Sequence, residues 1–140
     1  MKGVITADVV GSTQIKPAER GELPKLIREL VSEIDDHYPE LQLRVEVSRG
    51  DSFQVWVEEA EKAPLVALLL RAGFRKSELR AGEQQLDVRL SVGIGEVSYR
   101  DEKVAQSDGE AFVLSGRGFD RLTKHQRLTV QTSSEAMNEE

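Results

Sequence analysis

Leu41-Gln42-Leu43-Arg44-Val45-Glu46-Val47-Ser48-Arg49-Gly50-Asp51-Ser52-Phe53-Gln54-Val55-Trp56-Val57 reads as two alternating strands around a tight turn. Leu41, Leu43, Val45 and Val47 share one face while Gln42, Arg44 and Glu46 take the other, the period of a half-buried strand. Phe53, Val55 and Val57 repeat the pattern, with Gln54 and Trp56 between them. The link Arg49-Gly50-Asp51-Ser52 is short, so the strands form an antiparallel hairpin with Asp51 at its tip.

Outward from this hairpin the periodicity changes. Residues 3–10 are nearly continuous in apolar and β-branched side chains, a strand buried on both faces, and Gly11-Ser12-Thr13 breaks it. Leu23, Leu26, Ile27, Leu30, Val31 and Ile34 follow helical spacing, with Glu19 and Glu22 near the start and Tyr38-Pro39 at the end. Residues 60–77 read as a second helix with Leu65, Leu68, Leu69 and Phe74 as core candidates. A turn at Gly82-Glu83 precedes a strand over residues 86–97, which ends in Gly93-Ile94-Gly95. Residues 99–108 read as a loop, 110–124 as a short helix and 128–132 as a last strand. The tail 133–140 lacks apolar spacing and is expected to fray, leaving residues 1–132 as one domain.

The first six elements run β-α-β-β-α-β, the ferredoxin-like plan of an α+β fold, with a C-terminal helix and strand added. That plan sets the first and third strands side by side at the sheet centre. Asp8 ends the first strand and Asp51 precedes the third, so both carboxylates arrive at one edge.

Bulk composition narrows the function. The chain has 140 residues, 39% hydrophobic and 31% charged, as in a soluble globular domain. A net charge of -6 argues against a dedicated duplex nucleic-acid binder, which would carry a basic face. The absence of cysteine removes disulfides, thiolate catalysis and zinc–thiolate sites together. No signal peptide is apparent, and the longest apolar stretch, residues 63–70, is far short of the ~20 that span a bilayer. The expected location is cytoplasmic, with no membrane partner.

Two close carboxylates repel unless a cation or proton lies between them. Magnesium takes few carboxylates and completes its octahedron with water and substrate phosphates. Asp8 and Asp51 are therefore candidate metal residues, for Mg²⁺ or Mn²⁺. Val9, Gly11, Ser12 and Thr13 would supply backbone N–H groups and hydroxyls near a nucleoside triphosphate. The competing reading is that both aspartates only cap turns.

Ala7-Asp8-Val9-Val10-Gly11-Ser12-Thr13 resembles the first metal motif of class III nucleotidyl cyclases, and Arg49-Gly50-Asp51-Ser52-Phe53 resembles the second. Residues 89–95 match a later cyclase strand loosely, and residues 109–117 have the spacing of a late segment. That segment would make Arg117 the arginine that stabilises the transition state. A nearer resemblance is to SatD-like bacterial proteins. It rests on Ile5-Thr6-Ala7-Asp8-Val9, Gly50-Asp51-Ser52-Phe53-Gln54 and Ser107-Asp108-Gly109-Glu110-Ala111-Phe112. The resemblance implies a palm-like domain, catalysis as a nucleotidyl cyclase or nucleotidyltransferase, and a homodimer, since class III cyclases build their sites between protomers. Its alternative is a non-catalytic regulatory or protein-interaction domain. Val47, Gln106 and Val113 stand where a cyclase keeps its base-reading lysine and aspartate and its ribose-orienting asparagine. GGDEF-type cyclases carry an acid at the fourth position of this motif, where Arg49-Gly50-Asp51-Ser52-Phe53 has Ser52.

Arg117 lies in Ser115-Gly116-Arg117-Gly118, a flexible setting that a packed helix would avoid. It either reaches a phosphate or stands in solvent. Asp108 is expected to cap the following helix. His37 and His125 show no ligand spacing and read as surface residues, and Trp56 as sheet packing or a dimer contact. Lys124, His125, Gln126 and Arg127 read as a solvated basic turn, and Arg71 and Arg75 as partners of the second helix's dipole.

Overall fold

The computed structural model describes residues 1–97 and 109–133. Its elements are β1 (Lys2–Val10), α1 (Glu22–His37), β2 (Arg44–Ser48), β3 (Ser52–Val57), α2 (Ala63–Lys76), the short β4 (Arg80–Ala81) and β5 (Gln84–Gln85), β6 (Asp87–Gly95), α3 (Glu110–Arg121) and β7 (Leu128–Thr132). The main sheet has the order β2-β3-β1-β6-β7. β1 pairs antiparallel with both β3 and β6, β2 antiparallel with β3, and β7 parallel with β6. This is the ferredoxin-like α+β core with an added helix and strand, as the element order predicts.

Strand pleating divides the β1 side chains between two layers. Ile5, Ala7 and Val9, with their cross-strand neighbours Val92, Leu90 and Val88, belong to the core that α1 and α2 cover. Leu23, Ile27 and Val31 enter that core from α1. Full burial of one such aliphatic side chain is worth about 1.5–3 kcal/mol. The other face carries Thr6, Asp8, Arg89 and Ser91, and α3 lies on part of it. Ser115 Oγ donates to Ser91 O at 3.0 Å and lies 2.6 Å from Thr6 Oγ1. A Cβ on Gly93 would meet Ala111 O at 2.2 Å, and one on Gly118 would meet Ser91 Oγ at 2.4 Å. Helix and sheet touch there backbone to backbone.

Four expectations need correction. Leu65 and Leu68 are 43% and 53% exposed, while Val66, Ala67, Leu70 and Phe74 are buried. Nearly every residue of this stretch is apolar, so periodicity could not fix the phase of α2. Leu41, Gln42 and Leu43 are not strand. A 3-10 turn over Pro39–Leu41 and a left-handed Gln42 (φ 45°) precede β2. Residues 116–118 are helical, because Gly118 allows the close approach to Ser91, so Arg117 is not on a flexible loop. α3 also stops at Arg121, short of Lys124. The expected loop over 99–108, with Gln106 and Asp108, and the tail beyond Ser133 lie outside the described residues.

Candidate functional site

Asp8 lies near the end of β1, opposite Ser52 on β3 and Arg89 on β6. Val9 N–H donates to Asp51 O at 2.9 Å, binding the hairpin turn to the end of β1. Arg49 (φ 53°) and Gly50 (φ 79°) turn the chain through two left-handed residues to place Asp51 there. Gly11 (φ 73°) then turns β1 into a 3-10 turn over Ser12–Gln14. Ser12 Oγ donates to Asp51 Oδ2 at 2.8 Å, so the two loops are joined by side chain as well as backbone.

This loop is braced from outside. Arg20 donates to Thr13 O at 2.8 Å and to Ile15 O at 3.1 Å, and Gly82 N–H donates to Gln14 O at 2.9 Å. Asp8, Val9, Gly11, Ser12, Thr13 and Asp51 all line one cleft of about 540 Å³, as their motif order suggests. Its cations are Arg89, Lys124 and Arg127. Three cations beside two carboxylates leave one positive charge in excess, a field that suits phosphate. A groove of about 570 Å³ between α1 and α2 is slightly larger, but its charged lining is four glutamates against two lysines, a field that disfavours phosphate.

The sequence places Arg89 only at the head of a loosely matching strand and gives it no role in the site. Its Nη2 donates to Asp8 Oδ2 at 2.6 Å and its Nε to Asp8 Oδ1 at 3.0 Å, a bidentate pair across β1 and β6. The guanidinium also stands 5.1 Å from the Phe119 ring centroid. The hydrogen bond from Arg89 to Asp8, with Asp8's charge, raises the arginine's pKa against the opposing effect of burial. The signal was faint: Val88, Leu90 and Val92 alternate, and only the antiparallel register sets Arg89 across from Asp8.

Asp87, next along β6, gathers Arg71 (2.9 Å), Arg75 (3.3 Å) and Arg127 (3.1 Å). Burial alone would raise this carboxyl, but Arg71, the Val88 N–H and Arg127 outweigh it and hold the pKa low. Arg71 and Arg75 are thus Asp87's partners rather than only dipole caps. Lys124 and Arg127 line the cleft instead of forming a merely solvated turn.

The remaining candidates lie elsewhere. Arg117 is exposed, on a helix whose Ser115 and Gly118 face the sheet, and it does not line the cleft. Val113 is 46% exposed, and Val47 packs partly against the main core. Trp56 is buried, donates to Glu58 Oε2 at 2.9 Å and packs near Phe112, so it serves sheet packing. His37 and His125 are exposed.

A divalent cation between Asp8 and Asp51 is a poor fit to this donor set. Both Asp8 oxygens accept guanidinium N–H groups, and Asp51 accepts the Ser12 hydroxyl.

The chain is similar in structure to the monomeric guanylyl cyclase domain of the RhoGC fusion protein from the aquatic fungus Blastocladiella emersonii. The TM-score is 0.69 at 16% identity, over 93% of this chain and 80% of that one. Its fold is the cyclase palm. The palm also matches an adenylate/guanylate cyclase/hydrolase from Silicibacter pomeroyi, with TM-score 0.63 and 16% identity over 92% and 73% of the two chains. The active GGEEF domain of a diguanylate cyclase from Vibrio cholerae matches with TM-score 0.57 and 11% identity, over 96% and 83%. No family model matches the chain, and no curated protein matches it in sequence. No helix among the described residues is long and apolar enough to cross a membrane.

Proposed function

We propose that this palm domain binds the phosphate chain of a nucleoside triphosphate in the cleft between the β1 loop, the β2–β3 turn and the lead-in to β7. One observation carries the reading: Asp8, Asp51, the braced Gly11-Ser12-Thr13 turn and the three cations meet in one cleft at the end of a cyclase-type palm sheet. Gly11, Ser12 and Thr13 would cradle phosphate, while Lys124 and Arg127 neutralise it. The loop is already braced, so little ordering cost falls on the ligand.

Catalysis as a nucleotidyl cyclase or nucleotidyltransferase is the further step of the same reading. Arg117 does not line its own cleft, so in this reading it would stabilise developing charge in the cleft of a second copy. Cyclase chemistry here therefore calls for a homodimer. The metal-dependent version takes Asp8 and Asp51 as ligands of Mg²⁺ or Mn²⁺ and requires Arg89 to leave Asp8. Val47 and Val113, where base and ribose would be read, favour the alternative of a non-catalytic regulatory domain of the SatD-like kind.

A thermal-shift screen against the four nucleoside triphosphates, with and without Mg²⁺ or Mn²⁺, tests binding first. Stabilisation by at least one is expected; none in any condition sinks the proposal. Chromatography of the same mixtures for cyclic or linked products then separates enzyme from sensor, with Arg117→Ala abolishing turnover if the enzyme reading holds.

A further inference from the structure

We propose, building on the nucleotide-binding reading, that Arg89 takes the place of a divalent cation and that the cleft accepts a metal-free triphosphate. The register of β1 and β6 puts Arg89 directly across from Asp8, and both hydrogen bonds of the pair are formed. The guanidinium is further seated by Phe119 from α3. It does not swing in from solvent; strand, partner carboxylate and helix fix it.

A cation bound to Asp8 would compete with those N–H groups for the carboxylate and draw at least one oxygen away from Arg89. The released guanidinium, only 29% exposed, would then stand beside an ion of like charge. With Asp8 already neutralised, the guanidinium keeps further N–H donors on its planar fork, the geometry that matches phosphate oxygens. Lys124 and Arg127 add charge from the β7 side. Asp8 becomes a positioning residue for Arg89, and Asp51 a brace for Ser12 through their 2.8 Å hydrogen bond.

The test is calorimetric titration of the whole chain with GTP, ATP and inorganic tripolyphosphate, in excess EDTA and then in millimolar Mg²⁺. Wild-type binding is expected in EDTA and should be no tighter in Mg²⁺, which ties the triphosphate up as its magnesium complex. Arg89→Ala should weaken binding in EDTA at least tenfold, with Arg89→Lys recovering part of the loss, and circular dichroism establishing that both variants fold. Asp8→Asn, which loses one of the two acceptors that hold Arg89, should weaken EDTA binding by less than Arg89→Ala does. Binding only with Mg²⁺, lost in Asp8→Asn, overturns the Arg89 proposal and leaves the nucleotide reading standing. Undiminished EDTA binding by Arg89→Ala also overturns it. No binding in either condition overturns both.

Discussion

Gly93 has no room for a methyl group: an added Cβ would lie 2.2 Å from Ala111 O and 2.4 Å from Ser115 N, both backbone atoms. Gly93→Ala should therefore cost about 3 kcal/mol by urea denaturation, at the upper end of overpacking effects. Ser91, two residues earlier on the same face of β6, buries an Oγ with no hydrogen-bond partner among the described residues. Ser91→Ala should leave stability within about 1 kcal/mol of wild type, because removing an unsatisfied group restores what the lost packing takes away. At this scale much was readable. Asp8, Gly11, Ser12 and Asp51 announce themselves as turn residues at strand ends, and the cleft gathers them. Arg89 and Asp87 did not, because their roles depend on cross-strand register and on arginines up to 40 positions away. A single sequence encodes alternation well and register poorly.

α3 contains two glycines with opposite consequences. Gly118 faces Ser91, Gln131 and Thr129 at distances that exclude a side chain, whereas a Cβ on Gly116 would meet nothing within 4 Å. Gly116→Ala should raise stability by about 0.5–1 kcal/mol through helix propensity. Gly118→Ala should lower it by about 1–3 kcal/mol through overpacking, and paired denaturant melts will show the two signs. The sequence offered both glycines as a reason against a packed helix, which is sound for propensity alone. It fails where a helix must approach a sheet closely enough for backbones to touch. α2 teaches the complementary point. Ala63 and Ala67 face the core, and the large Leu65 and Leu68 face out, so a hydrophobicity pattern weighted by size selects the wrong stripe. Leu68→Lys should change the unfolding free energy by no more than about 0.5 kcal/mol.

Across the whole molecule, one carboxylate links helix, sheet and cleft wall. Asp87 binds Arg71 and Arg75 of α2 and Arg127 before β7, and its pKa is depressed. An unfolded aspartate titrates near ~3.9, so the cluster's contribution is present above about pH 4 and is lost as pH falls through the lower folded value. Asp87→Asn should flatten the acid limb of stability against pH. At neutral pH it should cost about 1–2 kcal/mol, a figure kept small because Arg71 and Arg75 are partly solvent-screened. The element order made the sheet legible in advance, since a β-α-β-β-α-β chain has few ways to close. The cleft's positive wall was not, because Lys124 and Arg127 become part of it only once β7 lies alongside β6.

That late arrival bears on the kinetics of assembly. The cleft joins residues 8–13 and 51 to residues 89, 124 and 127, so it unites segments far apart in the chain. Contacts of such long sequence range carry the largest closure entropy and form slowly. A fluorescent triphosphate added during refolding should thus report the final step, its signal lagging the recovery of helical ellipticity. On the proposed reading, the nascent chain would remain blind to nucleotide until the β7 lead-in had emerged.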